Sequence, residues 1–456
     1  MTAPASSPAE HRVRDLFRLG GFVRLLAVRW PSQAGDGMFQ LGAASLLLFT
    51  LSPTEATSGA EVAVILAVTT LPFSVVGPFA GVVIDRWRRQ RILIWANIVR
   101  VAVVVVALPL VRLDAVGQSA FLAAVVLVLS INRFFLATVG AVLPKVVPGE
   151  ALTAANAVAA IGGAIVALAG AAGGGVIAAV VGEDSGGPQA AVVVAGGLFL
   201  LSVMAAATLP VRLLGPDLDR ELPPLHHEIR RAWEELADGI RRIAGTRRAW
   251  APIVTLAALR FLTAIATIAA LLVFRNLLGA GPAQIAVVLA LFGVGAGAGA
   301  ALVASADRRG LAPETSLNLS LVLGGVALLV FTPGLREWAL YTVNLALGVA
   351  FSMAKIPGDT LVQSALPDRF RGRVFAAYDV LYNLGFLGGA IVTAVSLPDA
   401  SRAEPVLLGT GLASLVLAVG ARRWLTAMPP PVDVETWDEA ERALDGERPG
   451  QGTQPA

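Results

Sequence analysis

Charged residues lie inside the long apolar stretches of this chain, where a charge needs a partner or water. Asp36 is about 14 residues into the first stretch and Arg133 about 15 residues into the fourth, so both are expected near the middle of a hydrocarbon layer. A carboxylate beside a guanidinium can act there as a proton switch, because protonation of the acid releases the cation. Permanent contact would make the same two residues a static structural pair, and the sequence leaves both interpretations open.

A looser set of polar residues lies in the apolar stretches of the second half. Asp359 and Asp379 are closer to the expected cytoplasmic side and can serve as gate contacts. Arg100, about 12 Å deep in the third stretch, is interpreted as snorkelling to the cytoplasmic surface. The deeper positions carry more cations than acids, which favours an anionic or zwitterionic substrate. The residues predicted to face a substrate cavity are Gln40, Asn132, Arg260, Asn344, Lys355, Tyr378, Tyr382 and Asn383, although each neutral one also fits helix packing.

These side chains must be positioned by membrane-spanning helices. Apolar stretches of roughly 20 residues, each long enough to cross about 30 Å of hydrocarbon, recur twelve times. They cover residues 22–51, 61–84, 92–111, 118–142, 152–181, 190–211, 250–274, 283–304, 311–332, 337–360, 373–397 and 405–424. Basic residues concentrate in alternate connections, 25 against four single arginines on the opposite side. This bias predicts an even number of spans with both ends in the cytoplasm.

The chain divides into two sets of six spans. We expect a cytoplasmic segment over 1–21, a six-helix half over 22–211, a cytoplasmic linker over 212–249, a second six-helix half over 250–424, and a disordered cytoplasmic tail over 425–456. The linker contains an amphipathic stretch that predicts a helix on the cytoplasmic membrane face. An offset of 222 residues relates the halves, placing Arg133 at the position of Lys355. Such parallel repeats are typical of transporters that rock about a central site.

The connection after the second span carries a recognisable motif. It resembles the loop motif of the major facilitator superfamily, Gly-x-x-x-Asp-Arg-aromatic-Gly-Arg-Lys/Arg, with Arg88 in place of its second glycine and Gln90 in place of a basic residue. Segments 133–135, 143–150, 155–156 and 367–374 resemble the subgroup of the enterobactin exporter and macrolide efflux pumps. The matching motif residues are Gly81, Asp85, Arg86, Trp87 and Arg89.

This resemblance implies an all-α integral membrane protein with twelve transmembrane helices in two six-helix pseudo-repeats around a central cavity. It places spans one and four side by side on the cavity, which would bring Asp36 to Arg133. It also places spans five and eight against each other, so their glycines, Gly170, Gly174, Gly175, Gly295 and Gly299, are expected at the interface between the halves. The residues expected to act in gating are Gly81, Asp85, Arg86, Arg89, Asp307, Arg308, Asp359, Arg371, Arg373 and Asp379.

The glycine run of span five resembles an antiporter motif, Gly-Pro-x-x-Gly-Gly. Ala171 replaces the proline of that motif, and tight helix packing explains the glycines equally well.

Composition and motifs argue against several classes of function. The chain has no cysteine, and its three histidines lie outside the predicted spans, so we expect no metal site, no cofactor and no enzyme. The absence of a phosphate-binding Gly-x-x-x-x-Gly-Lys motif leaves an ion gradient as the energy source. Basic loops between spans are explained by topology and anionic lipid, without nucleic acid.

The predicted function is proton-coupled export of a small amphiphilic compound, such as a drug, antibiotic or siderophore. The protein is expected to act as a monomer in the plasma membrane, in contact with lipid. The alternatives are an uptake symporter, a lysophospholipid carrier, and a membrane receptor or scaffold that transports nothing.

Overall fold

The computed structural model describes residues 14–47, 60, 63, 70, 84, 86–112, 115–182, 186–210, 225–245, 247–364, 368–397 and 399–426. The expected second span, with Gly81 and Asp85, therefore lies almost wholly outside the described residues, as does most of the C-terminal tail. In the part that is described, the long elements are all helices and no strand occurs. The all-α prediction is confirmed.

The helices follow the predicted spans closely. The first half contains α1 (Gly20–Ser45), α2 (Arg89–Ala107), α3 (Ala115–Val146), α4 (Leu152–Val181) and α5 (Gly186–Ala207), which correspond to spans one and three to six. The linker contains α6 (Leu225–Gly245). The second half contains α7 (Arg247–Leu272), α8 (Pro282–Arg308), α9 (Pro313–Phe331), α10 (Glu337–Ser364), α11 (Asp368–Ser396) and α12 (Ala403–Thr426).

Ten helices in the described ranges are long and apolar enough to cross a membrane. They are α2 to α5 and α7 to α12, with ends that shift by a few residues. Helix α1 is more polar because it carries Arg24, Arg29 and Asp36, and α6 is a charged linker helix. The prediction of a multi-pass membrane protein is thus confirmed.

Each half has its own apolar core. In the first half, Phe22, Phe135 and Leu143 belong to one buried cluster, and Phe121 and Phe199 belong to a second. The second half has two corresponding clusters, one including Leu321 and the other Phe274. Because lipid is as apolar as these side chains, close packing rather than exclusion from water holds such helices together.

The glycines pack helices together within each half, which corrects the predicted seam between the halves. A Cβ on Gly170 would overlap the Ala34 carbonyl of α1, and one on Gly174 would meet Met38 of the same helix. Their neighbour Gly175 is buried. The sequence showed where small residues lie but not which helix fills the groove that they leave.

The second half repeats this arrangement with different helices. Cβ atoms on Gly295 and Gly299 would overlap the carbonyls of Leu345 and Val349, so these glycines seat α8 against α10. Helices α4 and α8 do pack against each other across the halves, as expected. A glycine outside the predicted set, Gly293 of α8, lies at that contact, opposite the Leu168 side chain of α4.

The linker helix is a clear amphipathic element. It packs against α11 and α7, and Leu236 enters the core of the second half. Arg230 and Arg231 each pair with a glutamate one turn later, at 2.7 and 3.1 Å. A helix thus occupies Leu225–Gly245 of the linker.

Candidate substrate cavity and gate

Asp36 forms its ion pair with Arg100, not with Arg133. Both side chains are buried, with exposed fractions of 3% for Asp36 and 0% for Arg100. The Arg100 guanidinium also lies 3.8 Å from the centre of the Phe199 ring. The predicted Asp36–Arg133 pair is therefore wrong, and so is the interpretation of Arg100 as a snorkelling residue.

A hydrogen-bond network completes the environment of Arg100. Its Nη1 donates to Ser32 Oγ and to Asn97 Oδ1, both at 2.9 Å. The Asn97 amide donates to Ser202 Oγ at 3.0 Å, and Ser202 donates to the Val28 carbonyl at 2.6 Å. Residues from α1, α2 and α5 thus share one buried polar cluster, which fastens the three helices together.

Arg133 instead reaches the other half of the protein. Its Nη2 donates to Asp379 Oδ2 of α11 at 2.8 Å. The exposed fractions of the two side chains, 28% and 41%, show that the protein does not fully enclose either charge. Helix α3 belongs to the first half and α11 to the second. The two halves can therefore separate at this contact only if the ion pair breaks.

Lys355, at the position related to Arg133 by the repeat, forms a cluster with Asp359 and Tyr378. Its Nζ lies 2.7 and 3.0 Å from the two Asp359 oxygens and donates to the Tyr378 hydroxyl at 2.9 Å. That hydroxyl donates to Asp359 Oδ1 at 2.9 Å. The ammonium is thus neutralised within the second half. Tyr378 immediately precedes Asp379 in the chain. Lys355 and Arg133, which the repeat relates, therefore contact adjacent residues of α11.

Arg260 lies nearby on aromatic rings. Its guanidinium carbon is 5.2 Å from the Tyr382 ring centre and 4.6 Å from that of Phe386. Arg260, Lys355 and Tyr382 line a cavity with about 500 Å³ of open space, counted together with the part that opens to solvent. The cavity walls come from α7, α9, α10, α11 and α12, so this cavity lies within the second half.

Contacts among the described residues do not join the remaining predicted cavity residues to Arg260 or Lys355. Gln40 is exposed, and Asn132 is buried beside Arg133. Asn344 and Asn383 donate to the carbonyls of Leu340 and Asp379, respectively, one turn earlier in their own helices. These two bonds are typical of helix packing.

The predicted gating residues fall into three groups. Arg86 pairs with Glu228 of α6 at 3.0 Å, and Arg89 donates to the Ala141 carbonyl of α3 at 3.2 Å. In the second half, Asp307 is exposed, and Arg308 donates to Ser305 of its own helix. The third group, Arg371 and Arg373, falls in the first turns of α11.

The sequence reasoning missed several partners. Glu228, Phe386 and Phe199 were not considered, although Glu228 starts an amphipathic helix that had to dock somewhere. Asn97 offered a usable signal, because it lies one helical turn before Arg100 and a second buried polar residue on one face indicates a network. No group of three or more potential metal ligands occurs among the residues that the structure describes.

Comparison with known proteins agrees with this architecture. The Major Facilitator Superfamily model matches residues 36–390. An uncharacterized MFS-type transporter of Mycobacterium tuberculosis is 30% identical over 410 residues, covering 89% of this chain and 92% of the relative. A relative from Mycobacterium bovis, also described as an uncharacterized MFS-type transporter, matches to the same extent.

Solved structures support the fold alone, because their sequences are distant. A nucleoside transporter, NupG, superposes with a TM-score of 0.64 at 13% identity, over 89% of this chain and 99% of that one. A peptide transporter, POT, in complex with sulfate, superposes with a TM-score of 0.69 at 13% identity, over 93% of this chain and 100% of the other. The extent of the family match and the helical architecture together show that the chain belongs to the Major Facilitator Superfamily and is a membrane transporter rather than an enzyme.

Proposed function

We propose that the protein is a proton-coupled exporter of small amphiphilic compounds, such as drugs, antibiotics or siderophores, and that it works by alternating access. The single observation that carries this proposal is the Arg133–Asp379 ion pair, which joins the halves at 2.8 Å and is only partly enclosed by protein. Export rather than uptake rests on the resemblance to the enterobactin-exporter subgroup. The bias of basic residues supports a plasma-membrane orientation with both termini in the cytoplasm.

In the proposed cycle, Asp379 takes the role first assigned to Asp36. While Asp379 is ionised, its attraction to Arg133 holds the halves together on the cytoplasmic side of the cavity. In the outward-open state Asp379 takes up a proton from outside, which removes the negative charge, so the pair separates and the cytoplasmic side opens. Substrate from the cytoplasm or inner leaflet then enters as the proton leaves to the cytoplasm, and the restored pair closes that side again, so that substrate moves out as protons move in. Asp36 has no such role, since it is buried against Arg100 in the first half.

The test compares proton movement and substrate movement in proteoliposomes. Substrates from a panel of antibiotics and siderophores are added to wild type, to Asp379→Asn and to Asp15→Asn, and a trapped pH dye reports proton flux. We expect wild type and Asp15→Asn to move protons on substrate addition, because Asp15 is exposed before the start of α1. We expect Asp379→Asn to lose this flux but to retain substrate exchange across the membrane, which needs no net proton transfer.

A second variant separates the carboxylate from the ion pair. Arg133→Gln breaks the pair but leaves a titratable group at Asp379, so proton coupling is expected to persist with a changed rate. Normal proton coupling in Asp379→Asn would contradict the proposed role of Asp379. Absence of any proton movement in wild type across the whole panel would overturn proton-coupled export and favour the lipid-carrier or non-transport alternatives.

A further inference from the structure

The cavity within the second half is almost entirely apolar apart from two cations. Its walls include Leu256 and Leu259 of α7, Leu328 of α9 and Phe351 of α10. Small-molecule sites combine apolar walls with a few polar groups in this way. In this conformation the enclosed space is about 20 Å³, room for about one water molecule, so a larger ligand has to part the surrounding side chains.

Of the two cations at this cavity, Arg260 is the one without an acidic partner among the described residues. Lys355 is held by Asp359 and Tyr378 within 3.0 Å. By contrast, Arg260 contacts only aromatic faces in the described ion pairs and ring contacts, and its buried Nε has no hydrogen-bond partner there. The Arg260 side chain is only partly buried, but its buried Nε leaves a donor unused, and an acidic group such as a carboxylate matches the planar fork of a guanidinium.

The serine and threonine hydroxyls around the cavity do not offer donors to a ligand. Thr263 donates to the carbonyl of Leu259, Thr410 donates one turn back in α12, and Ser414 donates to Leu321. Arg260, together with the Tyr382 hydroxyl beside it, therefore has donors that the described residues leave unused, while the surrounding leucines and phenylalanine suit an apolar body.

We propose that this cavity binds an anionic amphiphile, with the carboxylate on Arg260 and the apolar body between α7, α9 and α10. This inference rests on the proposed function, because it names the substrate class for that transporter. It adds that the binding site extends into the second half instead of lying evenly between the two halves. The first half contributes its charge to the gate, through Arg133, and not to this cavity.

Binding of a probe tests the site without requiring transport. We would titrate 2-naphthoate and its neutral analogue 2-naphthamide into the full-length protein in detergent, by calorimetry. Wild type is expected to bind the carboxylate at least tenfold more tightly than the amide. Arg260→Gln should weaken naphthoate binding by about 10- to 100-fold, the factor expected for hydrogen bonds to a charged group, and leave naphthamide binding nearly unchanged.

A second variant tests the apolar part of the site while keeping Arg260. A Cβ on Gly324 would lie 3.6 Å from the nearest Leu347 atom, so Gly324→Ala fits, whereas Gly324→Leu fills the cavity. We expect Gly324→Leu to weaken binding of both probes far more than Gly324→Ala does. Arg309→Gln, at the exposed end of α8, is the matched charge control and should bind as wild type does.

Failure of this inference differs visibly from failure of proton-coupled export. Equal naphthoate affinity in Arg260→Gln and wild type, or no naphthoate binding by wild type at millimolar concentration, would overturn the anion site even if proton flux were normal. Selective naphthoate binding that depends on Arg260, in a protein that moves no protons, would support the site and count against coupling.

Discussion

Replacement of Asp36 by asparagine is expected to destabilise the first half rather than to uncouple transport. The change leaves the Arg100 guanidinium, whose exposed fraction is 0%, without its counter-charge. Removal of one partner of a buried ion pair costs about 3–5 kcal/mol, because the other charge remains buried. Since Arg100 keeps its hydrogen bonds to Ser32 and Asn97 and its contact with Phe199, we expect the lower end, about 3 kcal/mol.

The size of the effect can be checked with a double-mutant cycle. Replacement of both charges, Asp36→Leu with Arg100→Met, removes the charges together, and such exchanges are often neutral or stabilising. The double variant should therefore be more stable than Asp36→Asn, despite its two changes. Equilibrium unfolding by SDS in mixed micelles, followed by tryptophan fluorescence, gives the free energy of each variant, and Asp307→Asn serves as an exposed control.

The refuting result combines stability with function. If Asp36→Asn unfolds at the same SDS fraction as wild type and loses substrate-dependent proton flux, the buried pair is not structural and Asp36 becomes the proton carrier again. If Asp36→Asn is destabilised and retains coupling per folded molecule, the assignment of coupling to Asp379 gains support. The flux must be divided by the folded fraction, because an unstable transporter loses total activity simply by having fewer folded molecules.

Two further predictions concern packing and the polar cluster. Gly170→Ala should destabilise the protein by about 1–3 kcal/mol in SDS unfolding, because the added Cβ would overlap the Ala34 carbonyl. Gly197→Ala is the control and should be neutral or slightly stabilising, because open space surrounds Gly197. Equal effects of the two substitutions would contradict the close contact between α1 and α4. Tyr378→Phe removes the hydroxyl that links the lysine and aspartate of the α10–α11 cluster and should slow substrate transport by about 10-fold or more. Tyr341→Phe, which removes an exposed hydrogen bond to Glu337 one turn earlier, should have little effect on the initial rate in proteoliposomes.

The fold was predictable from the sequence because span length and apolar content are fixed by the thickness of the bilayer. The predicted span 152–181 matches α4 (Leu152–Val181), and 118–142 lies within α3 (Ala115–Val146). The linker helix was predictable for a different reason, its strongly one-sided distribution of charge. These features depend on local composition and not on which helices become neighbours.

The pairing of intramembrane charges was not predictable in the same way. Position along a span gives only the expected depth of Asp36, whereas the pair also depends on the direction in which the side chain points. Helices that are apolar on all sides carry little periodic signal for that direction. Arg100 and Arg133 lie in different helices of the same half, and only the packing of α2 and α5 around α1 determines which of them Asp36 meets.

The two halves use their buried charges differently, and under the proposed cycle this difference makes α11 the moving part. In the first half, the Asp36–Arg100 pair is enclosed by α1, α2 and α5, so it holds those helices in one arrangement. In the second half, charges lie at a cavity and at the contact with the other half. Tyr378 and Asp379 are consecutive residues of α11, so a displacement of that helix changes the Lys355 cluster and the Arg133 ion pair together. A ligand that draws Arg260 away from Tyr382, also on α11, would therefore act on the gate through one rigid helix, without any connecting chain of side chains.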